Sequence, residues 1–368
     1  MSQTVDSASS HAGGTRVAMR AGLYLVLAGV VGFCGFRGWQ TYQAVSADPV
    51  FEKQVVANFG LNDAPHRHLD PSFTDANGDL LADTPSDPAQ LVDPPSIELS
   101  HVQDDPGSGG DSLDWSLLGK QIGDAAGKPV TVVSFSDARG ELDRIKGGKI
   151  QIMVVHAADA PYLVNQFGFI PIAVAGDDKG PHGHRLDLVV PAKSDIKAPE
   201  DIRGHNLVCT QPLSVSGYRA ALAYLHENLH MRPGFDFTVS FVMGQRESVL
   251  ALGSGKSEAA ALSSDKLKSM TKSGEIAATD YRIIYESEVM PQYAIGTFYN
   301  LKPEVAANIK KAVLSFTNPP QPGDKGSPIR LLPVDYARDF ATLRSIDDAF
   351  EPRLLMPPKS SQAPAPKD

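Results

Sequence analysis

The stretch HNLVCTQPLSVSGYRAALAYL, residues 205–225, passes from an apolar, β-branched run into a segment with helical spacing. The first part has the composition of a buried strand. From about Ser216 onward the apolar residues recur on one helical face, namely Tyr218, Ala221, Leu222, Leu225 and Leu229. The stretch therefore predicts a strand followed by a helix, with a polar turn between them.

The same alternation extends on both sides of this stretch, from about residue 94 to residue 349. Apolar runs typical of strands are SIELSHV, KPVTVVSF, KIQIMVV, FIPIAVA and LDLVVPA, and segments with helical spacing are SLLGKQIGDAAG and RESVLALGSG. Strands that alternate with helices predict an α/β fold with largely parallel sheets. Ligands of such sheets bind beyond the carboxyl ends of the strands.

The turn SVSGY, residues 214–218, lies at such a strand end. Ser214 or Ser216 can act as the N-cap of the helix, and the unpaired amides of its first turn suit an oxyanion. Gly217 would let a ligand approach the backbone closely. A plain helix cap has the same residues, so the residues alone leave both interpretations open. The turn lacks the GxSxG pattern of a nucleophilic serine, and we expect no catalysis.

Composition excludes one class of partner. The 368 residues carry a formal net charge of -9, which gives no basic surface for nucleic acid. The chain has two cysteines, Cys34 in an apolar run and Cys209 in the predicted strand, and we expect no disulfide between them. We also expect no cofactor.

The N-terminal quarter has a different character. We predict a short basic cytoplasmic segment at residues 1–20, a transmembrane anchor at 21–37 and an acidic, Pro- and Asp-rich linker at 38–93. A cleaved signal peptide or a buried core helix are the alternatives for the apolar run. Residues 350–368 are predicted to form a disordered tail.

One piece of the linker, DANGDLLAD, resembles the start of a calcium loop. Its oxygen-bearing side chains recur around Gly78 at Asp75, Asn77, Asp79 and Asp83. The distant glutamate of an EF-hand is missing, and an Asx-rich turn accounts for the same letters. We therefore favour no metal site.

The order of these segments, above all HNLVCTQPLSVSGYRAALAYL with the preceding DIRG, resembles the phosphonate/phosphate-type periplasmic solute-binding proteins of ABC transporters. The resemblance implies a two-lobe, periplasmic-binding-protein type II fold with crossover hinge strands. Lobe one would comprise residues 94–185 and 291–349, and lobe two residues 186–290. The lobes would close on a small oxyanion without catalysis.

The resemblance also implies site residues. Ser214, Ser216, Gly217 and Tyr218 match the family's turn, while Val215 replaces a threonine. Three further residues are implied as ligand-binding, namely Tyr162, His184 and Arg246. Tyr162 could instead be core filler. Arg246 stands where the family has a histidine, and it could instead form a surface salt bridge.

These inferences predict a membrane-anchored, extracytoplasmic binding protein for phosphate, phosphonate or a similar oxyanion. Its partners would be the ABC permease and ATPase subunits at the inner membrane, with the protein itself monomeric. Two alternatives are a membrane-anchored ligand sensor with the same fold and a binder of a sulfonate or thiamine-precursor-like molecule.

Overall fold

The computed structural model describes residues 57–61, 68–103, 113–135, 138–212, 214–320 and 327–350. The chain divides into two compact units after Val55, and every described residue belongs to the second unit. The predicted anchor at 21–37 lies outside the described residues, as do residues 351–368 of the predicted tail. No helix within the described ranges is both long and apolar enough to cross a membrane.

The secondary structure follows the predicted alternation. The strands are β1 (Ile97–Val102), β2 (Val130–Phe135), β3 (Ile152–His156), β4 (Phe169–Asp177), β5 (Gly180–Pro181), β6 (Gly183–His184), β7 (Leu186–Pro191), β8 (Asn206–Cys209), β9 (Thr238–Phe241), β10 (Ala259–Ser263), β11 (Tyr281–Glu286), β12 (Met290–Pro291), β13 (Tyr293–Phe298), β14 (Thr317–Asn318) and β15 (Ile329–Pro333). The α-helices are α1 (Trp115–Ala126), α2 (Leu142–Lys146), α3 (Ala160–Phe167), α4 (Ala220–Leu229), α5 (Gln245–Gly253), α6 (Ser264–Lys272), α7 (Pro303–Leu314), α8 (Tyr336–Asp339) and α9 (Ala341–Ala349). Short 3₁₀ turns occupy Pro88–Gln90, Ala138–Glu141, Ala157–Asp159, Pro199–Ile202 and Ala278–Asp280.

Local signals set the ends of these elements. Helix α1 begins where the Asp114 carboxylate accepts a hydrogen bond of 2.9 Å from the Leu117 amide. It ends at Gly127, whose φ of 65° lies in the left-handed region that glycine adopts without strain. Both residues mark the helix in the sequence, which is why its bounds agree with the helical spacing there.

The strands form two large mixed sheets. The first has the order β14-β15-β4-β13-β3-β1-β2, with β5 paired to β4, and the second has the order β11-β7-β10-β8-β9. Among the described strands of these two sheets, parallel pairing occurs only in β3-β1-β2 and in β10-β8-β9. The prediction of largely parallel sheets is therefore wrong, because strands entered after a hairpin or after a passage between the sheets run in the opposite direction.

The chain passes between the two sheets twice. The first passage contains β6 and the second contains β12, and these two short strands pair antiparallel with each other. A Cβ atom on Gly183 would lie 2.2 Å from the Met290 carbonyl oxygen, so glycine lets the two passages touch.

Each face of the second sheet is covered by helices. One face carries Leu186, Leu188 and Val190 of β7 into the main core, which includes residues of α4. The other face carries Val189, Val208 and Leu262 into a separate cluster with α5 and α6. Alternate residues of β7 thus serve two cores, as expected for a strand buried on both faces.

Residues before Pro94 pack against this domain. Leu61 and Ala82 are buried, the Val92 amide donates to the Asn300 carbonyl at 2.7 Å, and the Phe73 ring meets Tyr299 edge-on. The described part of the predicted linker at 38–93 therefore packs against the domain. Its few apolar residues are enough to dock it, although they show no periodicity.

Candidate functional site

Three loops meet at one edge of the second sheet. Strands β8, β9 and β10 are parallel, so the loops that follow them emerge on the same side. These loops contain the SVSGY turn after β8, Gln245 after β9 and Ser263 at the end of β10. The edge thereby gathers the residues that a ligand of this sheet would meet.

The SVSGY turn forms a π-helical turn, Val215–Arg219, that leads into α4. The Ser214 hydroxyl accepts a hydrogen bond of 3.1 Å from the Gly217 amide, which identifies Ser214 as the N-cap. The amides of Val215 and Ser216 have no acceptor among the described residues. These two amides stay available to an anion at the positive end of the helix.

The second serine has another role. Ser216 is buried, and its hydroxyl oxygen accepts a hydrogen bond of 3.3 Å from the Gln245 side-chain amide. The Gln245 carbonyl oxygen in turn accepts one of 2.5 Å from the Ser263 amide. Gln245 therefore joins all three loops and leaves the Ser216 hydroxyl hydrogen free to donate. Gln245 is not among the residues predicted from the sequence, although it is the residue next to Arg246.

Gly217 lies close to other protein atoms and does not face open space. A Cβ atom there would lie 2.1 Å from the Thr210 hydroxyl oxygen and 2.8 Å from the Ser214 hydroxyl oxygen. The Gly217 carbonyl also accepts a hydrogen bond of 2.9 Å from the Thr210 amide. Packing against Thr210 thus accounts for glycine at this position.

Tyr218 packs against aromatic residues. Its ring is buried and packs near Phe241 and Phe350, and its hydroxyl donates to the Phe59 carbonyl at 3.2 Å. These contacts make Tyr218 part of the docking of residues 57–61. Its predicted contact with a ligand stays a prediction.

Arg246 is turned to another part of the second sheet. Its guanidinium is about half exposed and forms an ion pair with Glu275, beyond the end of α6. This is the salt-bridge alternative that the sequence left open. No contact of the described residues joins Arg246 to the SVSGY turn.

His184 lies beside the loop that follows β10. Its neighbour Arg185 is held there, because the Arg185 amide donates to the Ser264 hydroxyl at 3.1 Å and its carbonyl accepts from the Ser264 amide at 3.0 Å. Burial lowers the pKa of His184, and the charge of Asp265 partly opposes this shift. A neutral imidazole at this position can donate one hydrogen bond.

Tyr162 lies on α3, against the first sheet, where its ring is buried and meets Phe167 edge-on. Burial raises the pKa of its hydroxyl, and the charge of Asp347 on α9 adds to the shift. No contact in the described part of the chain joins Tyr162 to the three loops. It keeps both of its interpretations, ligand contact and core filler.

The DANGDLLAD loop is built from Asx turns. The Asp75 carboxylate accepts hydrogen bonds from the amides of Gly78, Asp79 and Leu80, and Asp83 accepts one from Ala76. The Asn77 side chain donates to Asp79 at 2.9 Å. In the described ranges, no three His, Cys, Asp or Glu side chains are grouped so that they could hold a metal ion. The calcium alternative stays an untested prediction.

A comparison with known protein families identifies the family of this chain. The sequence profile of the phosphonate periplasmic substrate-binding proteins of ABC transporters matches residues 112–328, more than half of the chain. The chain belongs to this family and is the substrate-binding component of an ABC transporter of the phosphonate type. The resemblance noted from the sequence is confirmed. No curated protein matches the sequence.

The solved structures that match this chain do so at low sequence identity and with TM-scores below 0.5. A Xanthomonas citri protein bound to ATP is 15% identical with a TM-score of 0.44, covering 70% of this chain and 90% of that one. PhnD1 from Prochlorococcus marinus, in complex with methylphosphonate, is 12% identical with a TM-score of 0.41, covering 69% and 98%. A binding-protein component of a Pseudomonas aeruginosa ABC phosphonate transporter is 16% identical with a TM-score of 0.38, covering 66% and 83%.

Proposed function

We propose that the protein captures a phosphonate, phosphate or similar small oxyanion at the SVSGY turn. The observation that carries this proposal is that the two serines have different hydrogen-bonding roles. Ser214 caps the helix, while Gln245 fixes Ser216 so that its hydroxyl and the amides of Val215 and Ser216 offer hydrogen-bond donors together. Hydrogen bonds from amides and hydroxyls to a charged acceptor are stronger than those between neutral groups.

The two passages between the sheets support a two-lobe mechanism. Lobe one would contain residues 94–185 and 291–349, lobe two residues 186–290, and the paired strands β6 and β12 would form the hinge. His184 lies on β6, one of these hinge strands. Tyr162 would belong to lobe one, whereas the SVSGY turn would belong to lobe two. Closure would bring both lobes onto the anion and replace its water without any catalytic step.

The same proposal includes the setting of the protein. Residues 21–37 would anchor it to the membrane, and the monomeric binding domain would deliver its ligand to a permease and ATPase. A periplasmic family is consistent with this arrangement. Fractionation of cells that express the full chain tests the anchor, since an anchored protein stays with the membranes after a salt wash.

Calorimetric titration with phosphate, phosphite, methylphosphonate, aminoethylphosphonate, sulfate and taurine tests the ligand class. We expect at least one phosphorus oxyanion to bind. Ser216→Ala should then weaken binding by about one to two decades in Kd, because a hydrogen bond to a charged group contributes about 1.5–3 kcal/mol. Gln245→Ala should weaken binding too, since Ser216 loses its partner.

Two variants serve as matched controls. Ser254→Ala removes an exposed hydroxyl at the end of α5, which donates only to the Ala251 carbonyl at 3.2 Å, and should leave affinity unchanged. Arg246→Ala should also keep its affinity if the ion pair with Glu275 persists in the bound state. Failure of all six compounds to bind would refute the oxyanion proposal.

A further inference from the structure

A groove lies between helix α6 and the edge strand β11, on the face of the second sheet that carries the separate hydrophobic cluster. Its volume is about 540 Å³, within the range of about 300–1,000 Å³ typical of small-molecule sites. Its wall is largely apolar and includes Leu267, Tyr281 and Ile283. The groove is separate from the SVSGY turn, none of whose residues line it.

A carboxylate without a hydrogen-bond partner forms part of the groove floor. Asp187 lines the groove, is 2% exposed, and its Oδ1 atom has no hydrogen-bond partner. Burial raises the pKa of Asp187 to about 6, so the carboxyl is still mainly ionised at neutral pH. An ionised group in this position is costly unless a cation pairs with it.

The cations of the protein itself do not fill this role. Arg185 is held by Glu286 at 3.3 Å and by the Ser287 carbonyl at 2.6 Å. Lys268 and Lys272 also line the groove, but both are exposed and neither makes a hydrogen bond to the Oδ1 atom of Asp187. Arg185 and Lys268 lower the pKa of Asp187, while Glu286 and Asp265 raise it, as their charges require.

We infer that this groove binds a small organic amine, with its ammonium group at Asp187 and its apolar body along Leu267, Tyr281 and Ile283. The ammonium group would supply the missing donor, and the apolar wall would shield the pair from water. An anion does not fit the floor, where Glu286 lies directly across the β7–β11 pairing from Asp187. The inference does not depend on the oxyanion proposal.

Calorimetric titration of the full chain with hexylammonium, hexanol and hexanoate tests this site. We expect hexylammonium to bind and the other two, which share its alkyl body, to bind much more weakly. Asp187→Asn keeps the shape of the side chain and should weaken hexylammonium binding by roughly ten- to a hundredfold. Ile283→Ser alters only an exposed wall residue and should weaken hexylammonium and hexanol alike.

Ser216→Ala should bind hexylammonium as the wild type does, which separates this site from the oxyanion site. Urea unfolding of each variant shows whether it is folded. Equal binding of hexylammonium and hexanol to the wild type would overturn the inference. Wild-type affinity for hexylammonium in a folded Asp187→Asn variant would overturn it as well.

Discussion

Replacing Gly217 by alanine should destabilise the protein chiefly through its contact with Thr210. The added Cβ atom would lie 2.1 Å from the Thr210 hydroxyl oxygen, and Thr210 is buried and tied to Gly217 by a backbone hydrogen bond. Overpacking of this kind costs about 1–3 kcal/mol. The 2.1 Å approach is severe, so we place the cost at about 2–3 kcal/mol. Alanine's better helix propensity returns about 1 kcal/mol, so we expect a net loss of about 1–2 kcal/mol in urea unfolding.

A second substitution tests the cause. The Thr210 hydroxyl oxygen has no hydrogen-bond partner, so Thr210→Ala removes the clashing atom at little cost in hydrogen bonding. The double variant Gly217→Ala/Thr210→Ala should recover most of the loss. Thr210→Val, which keeps a heavy atom at the same place, should not rescue Gly217→Ala. If the effects of Gly217→Ala and Thr210→Ala simply add, the contact does not explain the glycine.

Two further predictions concern pH and the N-terminal segment. Burial raises the pKa of Asp347 from 3.8 to about 7, so the folded protein binds the proton more tightly than the unfolded chain does. The protonated carboxyl therefore stabilises the fold below about pH 4, and this stabilisation is lost as the pH rises through about 7. In the wild type, the free energy of unfolding in urea should therefore fall by on the order of 2–4 kcal/mol between pH 5 and 8. Asp347→Asn should abolish this fall. Asp124→Asn, which changes an exposed carboxylate, should keep it. Deletion of residues 1–55 should leave the urea midpoint unchanged, whereas deletion of residues 1–93 should lower it because Leu61 and Ala82 lose their buried positions. An equal midpoint for both truncated proteins would contradict the observed docking.

The parts of the fold that were predictable are those set by local signals. Helix α1 is visible in the sequence because its cap Asp114, its apolar face and its terminal Gly127 are all close in the chain. The apolar run LDLVVP likewise predicts the strand that the structure shows there. Strand direction was not predictable in this way, because it depends on which strand pairs with which across more than a hundred residues.

The candidate site was predictable from the sequence only in part, because it too depends on contacts between distant segments. The capping role of Ser214 follows from its position before a helix, and the sequence names it together with Ser216 as a candidate. The link from Gln245 to Ser216 and Ser263 joins three loops that are distant in sequence, so no local pattern contains it. Adjacent helical residues point about 100° apart, which is why Gln245 faces the loops while Arg246 meets Glu275.

Two consecutive residues connect the oxyanion site to the amine groove. The Ser263 amide donates to Gln245, and the Ser264 hydroxyl, beside it, accepts from the Arg185 amide while Ser264 lines the groove. Substitution of Ser264 would remove the hydroxyl that accepts from Arg185 and would also change the groove wall, whereas Ser263 contributes a backbone amide that a side-chain substitution leaves in place. Ser216 is bonded to Gln245 and does not line the groove, whereas Asp187 lines the groove. Comparison of Ser216→Ala with Asp187→Asn is thus the measurement that separates the two proposed binding events.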